Sequence, residues 1–177
     1  MNKNKKIAFR VDGSSKIGMG HIMRSIALAQ TLPKHIDKIF ITKENESIKK
    51  VLMDYDFDVI YLSDKFNYGI EEIKKVKEII KEDEINILIT DSYDIDQKYL
   101  IEMKKVTNKL VSIHDYAPFA FPSDIVINGN IYAPDLDYKS LYGDTEFLLG
   151  TDYLLLREEF LNLPEIEVRK NVRNILV

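Results

Sequence analysis

Phe9–Leu32 reads FRVDGSSKIGMGHIMRSIALAQTL. The apolar run Lys6–Val11 has strand character and ends at Asp12. A turn follows with Gly13, Gly18 and Gly20, three of the chain's seven glycines within eight residues. Ile22–Leu32 then carries Ile22, Ile26 and Ala29 on one helical face. Strand, glycine turn and helix together open a parallel α/β unit, with the turn at a carboxyl end where such sheets bind ligands.

The rest of the chain repeats that alternation. Strands are expected at Lys38–Thr42, Asp58–Leu62, Ile85–Thr90, Lys109–Ile113, Asp124–Asn128 and Glu146–Gly150. Helices are expected at Glu46–Tyr55, Ile70–Lys81 and Lys98–Val106, the second with an apolar stripe of Ile73, Val76 and Ile80. Short strands, apolar on both faces and separated by helices, predict a Rossmann-like parallel sheet sandwiched by helices. Residues 1–150 form this lobe. Residues 151–177 read as a linker and the opening of a further lobe, because a polar run leads into the strand-like Ile175–Val177.

Composition removes several function classes. The 177 residues are 45% hydrophobic, enough for a real core, and carry a net charge of −4. Lysines alternate with glutamates, so no basic nucleic-acid footprint exists. There are no cysteines, which removes disulfides and thiolate metal sites and points to a reducing, cytoplasmic compartment. The basic start MNKNKKIAF is too short for a signal-peptide core, and no run approaches a membrane span. No cofactor and no metal are expected.

Two familiar phosphate motifs fail at the glycine turn. A dinucleotide fingerprint needs a third glycine where Met23 stands, which argues against an oxidoreductase. A P-loop needs Lys and Ser/Thr where Met19 and Gly20 stand. His21 is left as the chemical group of the turn. In the first turn of a helix the dipole favours a neutral ring, and a neutral imidazole can take a proton from water. Arg24 lies one turn on and can hold a substrate oxygen or a carboxylate. The plain alternative is that His21 caps the helix and packs.

The stretch resembles the first motif of the UDP-sugar hydrolases of pseudaminic acid biosynthesis, approximately F-R-x-D-x-S-x-x-I-G-x-G-H-x-x-R. Phe9, Arg10, Asp12, Ser14, Ile17, Gly18, Gly20, His21 and Arg24 match it. ILITDSYDID (Ile87–Asp96), LVSIHDYAP, VINGNIYA (Val126–Ala133) and LLGTDYLLLREEF (Leu148–Phe160) are similar to later motifs, in order. Spore-coat polysaccharide proteins share much of the pattern. The resemblance implies the N-terminal lobe of a GT-B-like two-lobe enzyme that hydrolyses a UDP-linked diacetamido-trideoxy sugar with inversion. It implies His21 as the base, a small-molecule UDP-sugar as partner, and no metal. Most uridine and phosphate contacts would come from a second lobe of the same polypeptide, so this stretch alone is expected to be inactive.

Candidate site residues follow from strand ends and from the resemblance. His21 and Tyr93 are the catalytic candidates. Substrate contacts are expected from Arg10, Asp12, Ser14, Gly18, Gly20, Arg24, Asp91, Asp115 and Asn130. Asp12 can orient His21, bind a sugar hydroxyl, or merely close an Asx turn. Arg10 reads as a strand residue paired with an acid, and Ser14 as a sugar contact or a turn residue. Asp91 and Tyr93 lie in DSYDID, which is also rich in helix-capping residues. Asn130 can reach an N-acetyl group. His114 and Asp115 are adjacent in a strand-like run and so face opposite sides; only Asp115 is taken forward. His35 and the remaining tyrosines are given no role. The alternatives are a GT-B-type glycosyltransferase, in which a sugar hydroxyl replaces water, and a binding module that keeps only the fold.

Overall fold

In the computed structural model, which describes residues 5–13, 18–63, 65–66, 68–160 and 163, the opening strand β1 (Lys6–Val11) lies inside a seven-stranded sheet. The elements that follow are α1 (Gly20–Thr31), β2 (Asp37–Lys43), α2 (Glu46–Leu52), β3 (Asp58–Leu62), α3 (Ile70–Glu82), β4 (Ile87–Asp91), α4 (Gln97–Lys104) and β5 (Lys109–Ile113). Then come β6 (Ala120–Phe121), β7 (Ile125–Asn128), β8 (Lys139–Ser140) and β9 (Glu146–Leu149). The large sheet is parallel throughout, in the order β3-β2-β1-β4-β5-β7-β9. The order reverses between β1 and β4, and ligands of open α/β sheets bind beyond the carboxyl ends at such a reversal.

The pleat of β1 divides the core. Ile7, Phe9 and Val11 face one side and pack with Ile22, Ile26 and Ala29 of α1 and Ile48 and Leu52 of α2. Ala8 belongs to the other side, with Ile73, Val76 and Ile80 of α3 and Tyr99, Leu100 and Met103 of α4. The expected stripe of α3 therefore faces the sheet, as its spacing requires. Two connections carry no α-helix, the second holding a 3₁₀ turn at Ala133–Asp135. Between β5, β7 and β9 the small parallel pair β6–β8 stands in, and Phe121, Tyr138 and Phe147 cover that end of the sheet.

The seven strands of the sequence reading are present. β6 and β8 were not expected, since two residues carry no period. α1 begins at Gly20 rather than Ile22, which puts His21 inside its first turn. The expected strand at Ile175–Val177 lies outside the described residues. Among those described, no helix is long and apolar enough to cross a membrane. The chain after β9 returns over the end of β7: a Cβ on Gly129 would stand 2.7 Å from the Leu154 Cα, so only glycine allows this crossing.

Arg10 breaks the apolar pattern of β1. It is fully buried, and its Nε and Nη2 donate to Glu72 Oε1 at 3.0 and 2.7 Å. Its Nη1 donates to Asp12 Oδ2 at 2.6 Å. Asp12 also accepts from the Lys43 N–H at 2.7 Å, the Thr42 hydroxyl and the Tyr68 hydroxyl. Glu72 takes the Tyr68 N–H and the Tyr99 hydroxyl. Burial pushes the Asp12 carboxyl up, but Arg10 and these donors outweigh it and hold it below the usual carboxylate range. The cluster ties β1 to α3 with its polar atoms satisfied. Removing one partner of a buried pair leaves an uncompensated charge, at a cost of about 3–5 kcal/mol. Arg10→Ala is therefore expected to lower unfolding free energy by about that amount in urea titration; a loss under about 1 kcal/mol would contradict the cluster's role.

Candidate functional site

The β1–β4 register pairs Val11 with Asp91, which brings the end of β4 beside the glycine turn and the start of α1. His21 is buried, with 7% of its surface exposed. Its Nδ1 lies 2.6 Å from Asp91 Oδ1. Arg24, one turn along α1, donates from Nε to Asp91 Oδ2 and from Nη2 to Asp91 Oδ1, both at 2.6 Å. The Ser25 hydroxyl adds a longer contact to Oδ2. Arg24 Nη2 also approaches His21 Nδ1, at 3.1 Å, but carries no lone pair to accept a proton. The shorter Asp91 contact and its charge assign the neutral ring's proton to Nδ1. Nε2 then holds the lone pair.

The same guanidinium reaches the end of β5. Its Nη1 donates to Asp115 Oδ1 and Oδ2 at 2.8 and 3.0 Å. Asp115 also accepts the Tyr93 hydroxyl and, at 2.9 Å, Asn130 Nδ2. Burial raises the Asp115 carboxyl, yet the hydrogen bonds from Arg24 and Tyr93 prevail and it titrates below the usual range. Tyr93 is pushed up by burial and by the Asp115 charge, so its phenol remains a donor. The Tyr93 ring meets the His21 imidazole edge-on, with centroids 4.6 Å apart, and fixes the ring's other side.

The structure thus gathers His21, Arg24, Asp91, Tyr93, Asp115 and Asn130 into one connected cluster, of which Arg24, Asp115 and Asn130 line a pocket. It sets Arg10 and Asp12 apart. Both are buried in the β1–α3 cluster, and Asp12 makes no contact with His21; the orienting carboxylate is Asp91. Asp91 is only 1% exposed, with both oxygens engaged, so it acts on His21 rather than on a ligand. Gly18 has φ +82, a left-handed backbone that glycine adopts without strain, and Gly20 opens α1. Ser14 lies outside the described residues. His114 lies in a ring cluster with Tyr93, Tyr116, Phe119 and Phe121, and its Nδ1 accepts the Tyr116 N–H. Asn128, Leu154 and Leu155 border the site and were not anticipated. Asn128 aligns Asn130, and the two leucines arrive through the crossing over Gly129.

No protein-family model matches the chain. It is 30% identical, over 97% of its length, to an uncharacterized protein of Methanocaldococcus jannaschii, of which it covers 36%. It is 34% identical, over 88% of its length, to the UDP-2,4-diacetamido-2,4,6-trideoxy-β-L-altropyranose hydrolase of Campylobacter jejuni, covering 53% of that protein. It is 29% identical, over 94% of its length, to the spore coat polysaccharide biosynthesis protein SpsG of Bacillus subtilis, covering 48% of it. The chain spans between about a third and a half of the length of these relatives. The resemblance carried by the glycine–histidine motif holds along nearly the whole chain. Among solved structures, MurG of Acinetobacter baumannii superposes with a TM-score of 0.52 at 9% identity, over 72% of this chain and 41% of that one. The fold is the Rossmann-like, GT-B-type lobe that the sequence implied.

Two measurements check this geometry. Long-range ¹H–¹⁵N spectra, recorded well above the histidine titration, are expected to show His21 as the Nδ1–H tautomer. Asp91→Asn should move it toward Nε2–H; an Nε2–H ring in the parent protein would refute the assigned pairing. His114 gives a stability test. Burial holds its imidazole below the ordinary histidine range. The unfolded chain therefore binds the proton first as pH falls below about 6.5, and the folded state loses stability there. Urea midpoints should decline from pH 7 to pH 5, less steeply in His114→Gln; equal slopes would contradict this.

Proposed function

We propose that this lobe carries the general base of a nucleotide-sugar hydrolase in polysaccharide biosynthesis, acting on a UDP-linked diacetamido-trideoxy sugar. The observation that carries the reading is the His21–Asp91 hydrogen bond at the β1–β4 reversal, which leaves imidazole Nε2 as a base at the ligand-binding edge. The 34% identity to the Campylobacter hydrolase supplies the substrate class.

Each part of the site has a task in that reaction. His21 Nε2 takes a proton from water as the water oxygen bonds to the anomeric carbon. The bond from that carbon to the diphosphate oxygen breaks, its electron pair leaves with UDP, and configuration inverts. The negative charge of Asp91 stabilises the imidazolium that forms, and Arg24 keeps Asp91 in place. Tyr93 and Asp115 hold the ring against rotation. His21 then returns its proton to solvent. In this reading the uridine is held by a second lobe of the same polypeptide.

A general base of this kind contributes ~10²–10⁴-fold in rate. In the full-length protein, His21→Ala and His21→Gln should lower kcat for UDP release by that factor, with an inverted anomer as the product of the parent enzyme. Unchanged turnover would remove His21 from the chemistry. UDP release that requires an added sugar acceptor would assign transfer, with an acceptor hydroxyl in the place of water.

A further inference from the structure

Beside Arg24 lies a pocket of about 60 Å³. Ile113 and Ile127, from the ends of β5 and β7, wall it together with Leu154 and Leu155; Arg24, Asp115 and Asn130 supply its polar side, the Asp115 carboxylate being engaged by Arg24, Tyr93 and Asn130. We infer that this pocket receives the acetamido substituent on the sugar carbon next to the anomeric centre. The inference rests on the nucleotide-sugar reading above and extends it to a specificity site.

Asn130 supplies the chemical argument. Its Nδ2 donates to Asp115 Oδ1 at 2.9 Å and to Asn128 Oδ1 at 2.7 Å. Both amide hydrogens are thereby engaged with acceptors, which fixes the orientation of the amide: an oxygen in that place would face two oxygens. Oδ1 has no partner among the described residues, and no buried side-chain polar atom among them is unsatisfied, so Oδ1 is open to solvent. A fixed amide oxygen of this kind selects a donor. It disfavours carboxylate and phosphate, which offer only acceptors.

An acetamido group matches the remaining walls. It has four heavy atoms, and the pocket has room for about four to six water-sized occupants, each needing ~10–15 Å³. The N–H suits Asn130 Oδ1, the carbonyl suits the Arg24 cation, and the methyl suits the isoleucines and leucines. Position agrees as well. Arg24 Nη2 is 3.1 Å from His21 Nδ1, and Asp115 holds Tyr93, whose ring touches the imidazole. Arg24 and Asp115, which line the pocket, thus stand no more than one side chain away from the imidazole, and this nearness is what assigns the pocket to a substituent next to the anomeric carbon.

The test uses binding to the full-length protein, read by saturation-transfer NMR and calorimetry. The probes are the free 2,4-diacetamido-2,4,6-trideoxy sugar and its analogue with a hydroxyl at carbon 2. The parent protein should bind the first about tenfold or more tightly, with strong saturation of the acetyl methyl. Asn130→Ala removes the acceptor. Leu154→Phe, at a residue 51% exposed and so tolerant of change, fills the pocket. Each should reduce the preference to within about threefold while UDP affinity stays unchanged. Equal binding of the two sugars by the parent, or a preference untouched by both variants, would overturn the inference. The binding readout does not need turnover. A preference that survives without UDP release would reject the hydrolase reading but keep the pocket, and His21-dependent turnover with no preference would do the reverse.

Discussion

The site depends on one guanidinium held between two carboxylates. Arg24 bridges Asp91 at the end of β4 and Asp115 at the end of β5, and so ties the first turns of α1 to two adjacent strands. Both carboxylates are over nine-tenths buried. Neither could stay ionised there without a cation, because desolvation of a lone carboxylate costs several kcal/mol. Everything else hangs from this bridge. Asp91 sets the tautomer of His21, while Asp115 holds Tyr93 and Asn130.

A second arginine on the neighbouring strand shows what distinguishes a structural cluster from a chemical one. Arg10 and its partners lie on the α3–α4 side of β1, and every donor there meets an acceptor inside the protein. Such a cluster fixes packing and offers nothing to a ligand. The Arg24 cluster is equally well paired, yet it leaves two acceptors uncommitted among the described residues: His21 Nε2 and Asn130 Oδ1. Both clusters use the same ionic chemistry, and they differ in whether lone pairs remain at an opening.

The sequence displayed the fold more fully than the site. Period and length located every strand of the large sheet, and the glycine turn placed His21 correctly at a carboxyl end. The ranking among the aspartates was not readable. Asp12 and Asp91 both follow apolar strands, and Asp12 is nearer to His21 along the chain. Only the register of β1 on β4 shows that Asp91, 70 residues from His21, meets the imidazole while Asp12 turns to Arg10. Glu72 was similarly hidden, because a glutamate inside a charged helix carries no mark of burial until its partner is known. The tight crossing over Gly129 left one signal, a glycine between two asparagines, which also reads as an ordinary turn.

The fate of the carboxylates also narrows the chemistry. Glycosidases that cleave ordinary glycosidic acetals use two carboxyl groups, one of them protonated to assist a poor leaving group. Here Asp12 and Asp115 are held below the usual range, each by an arginine and a tyrosine hydroxyl among other donors, and Asp91 is engaged by His21 and Arg24. Asp12 lies buried away from the site, and the oxygens of Asp91 and Asp115 are taken up by donors of the protein itself. Among the described residues what remains is the His21 lone pair, suited to activating a nucleophile and unsuited to aiding an alkoxide's departure. A site so equipped fits a substrate whose leaving group is already a stable anion, and a sugar joined to a nucleoside diphosphate is such a substrate.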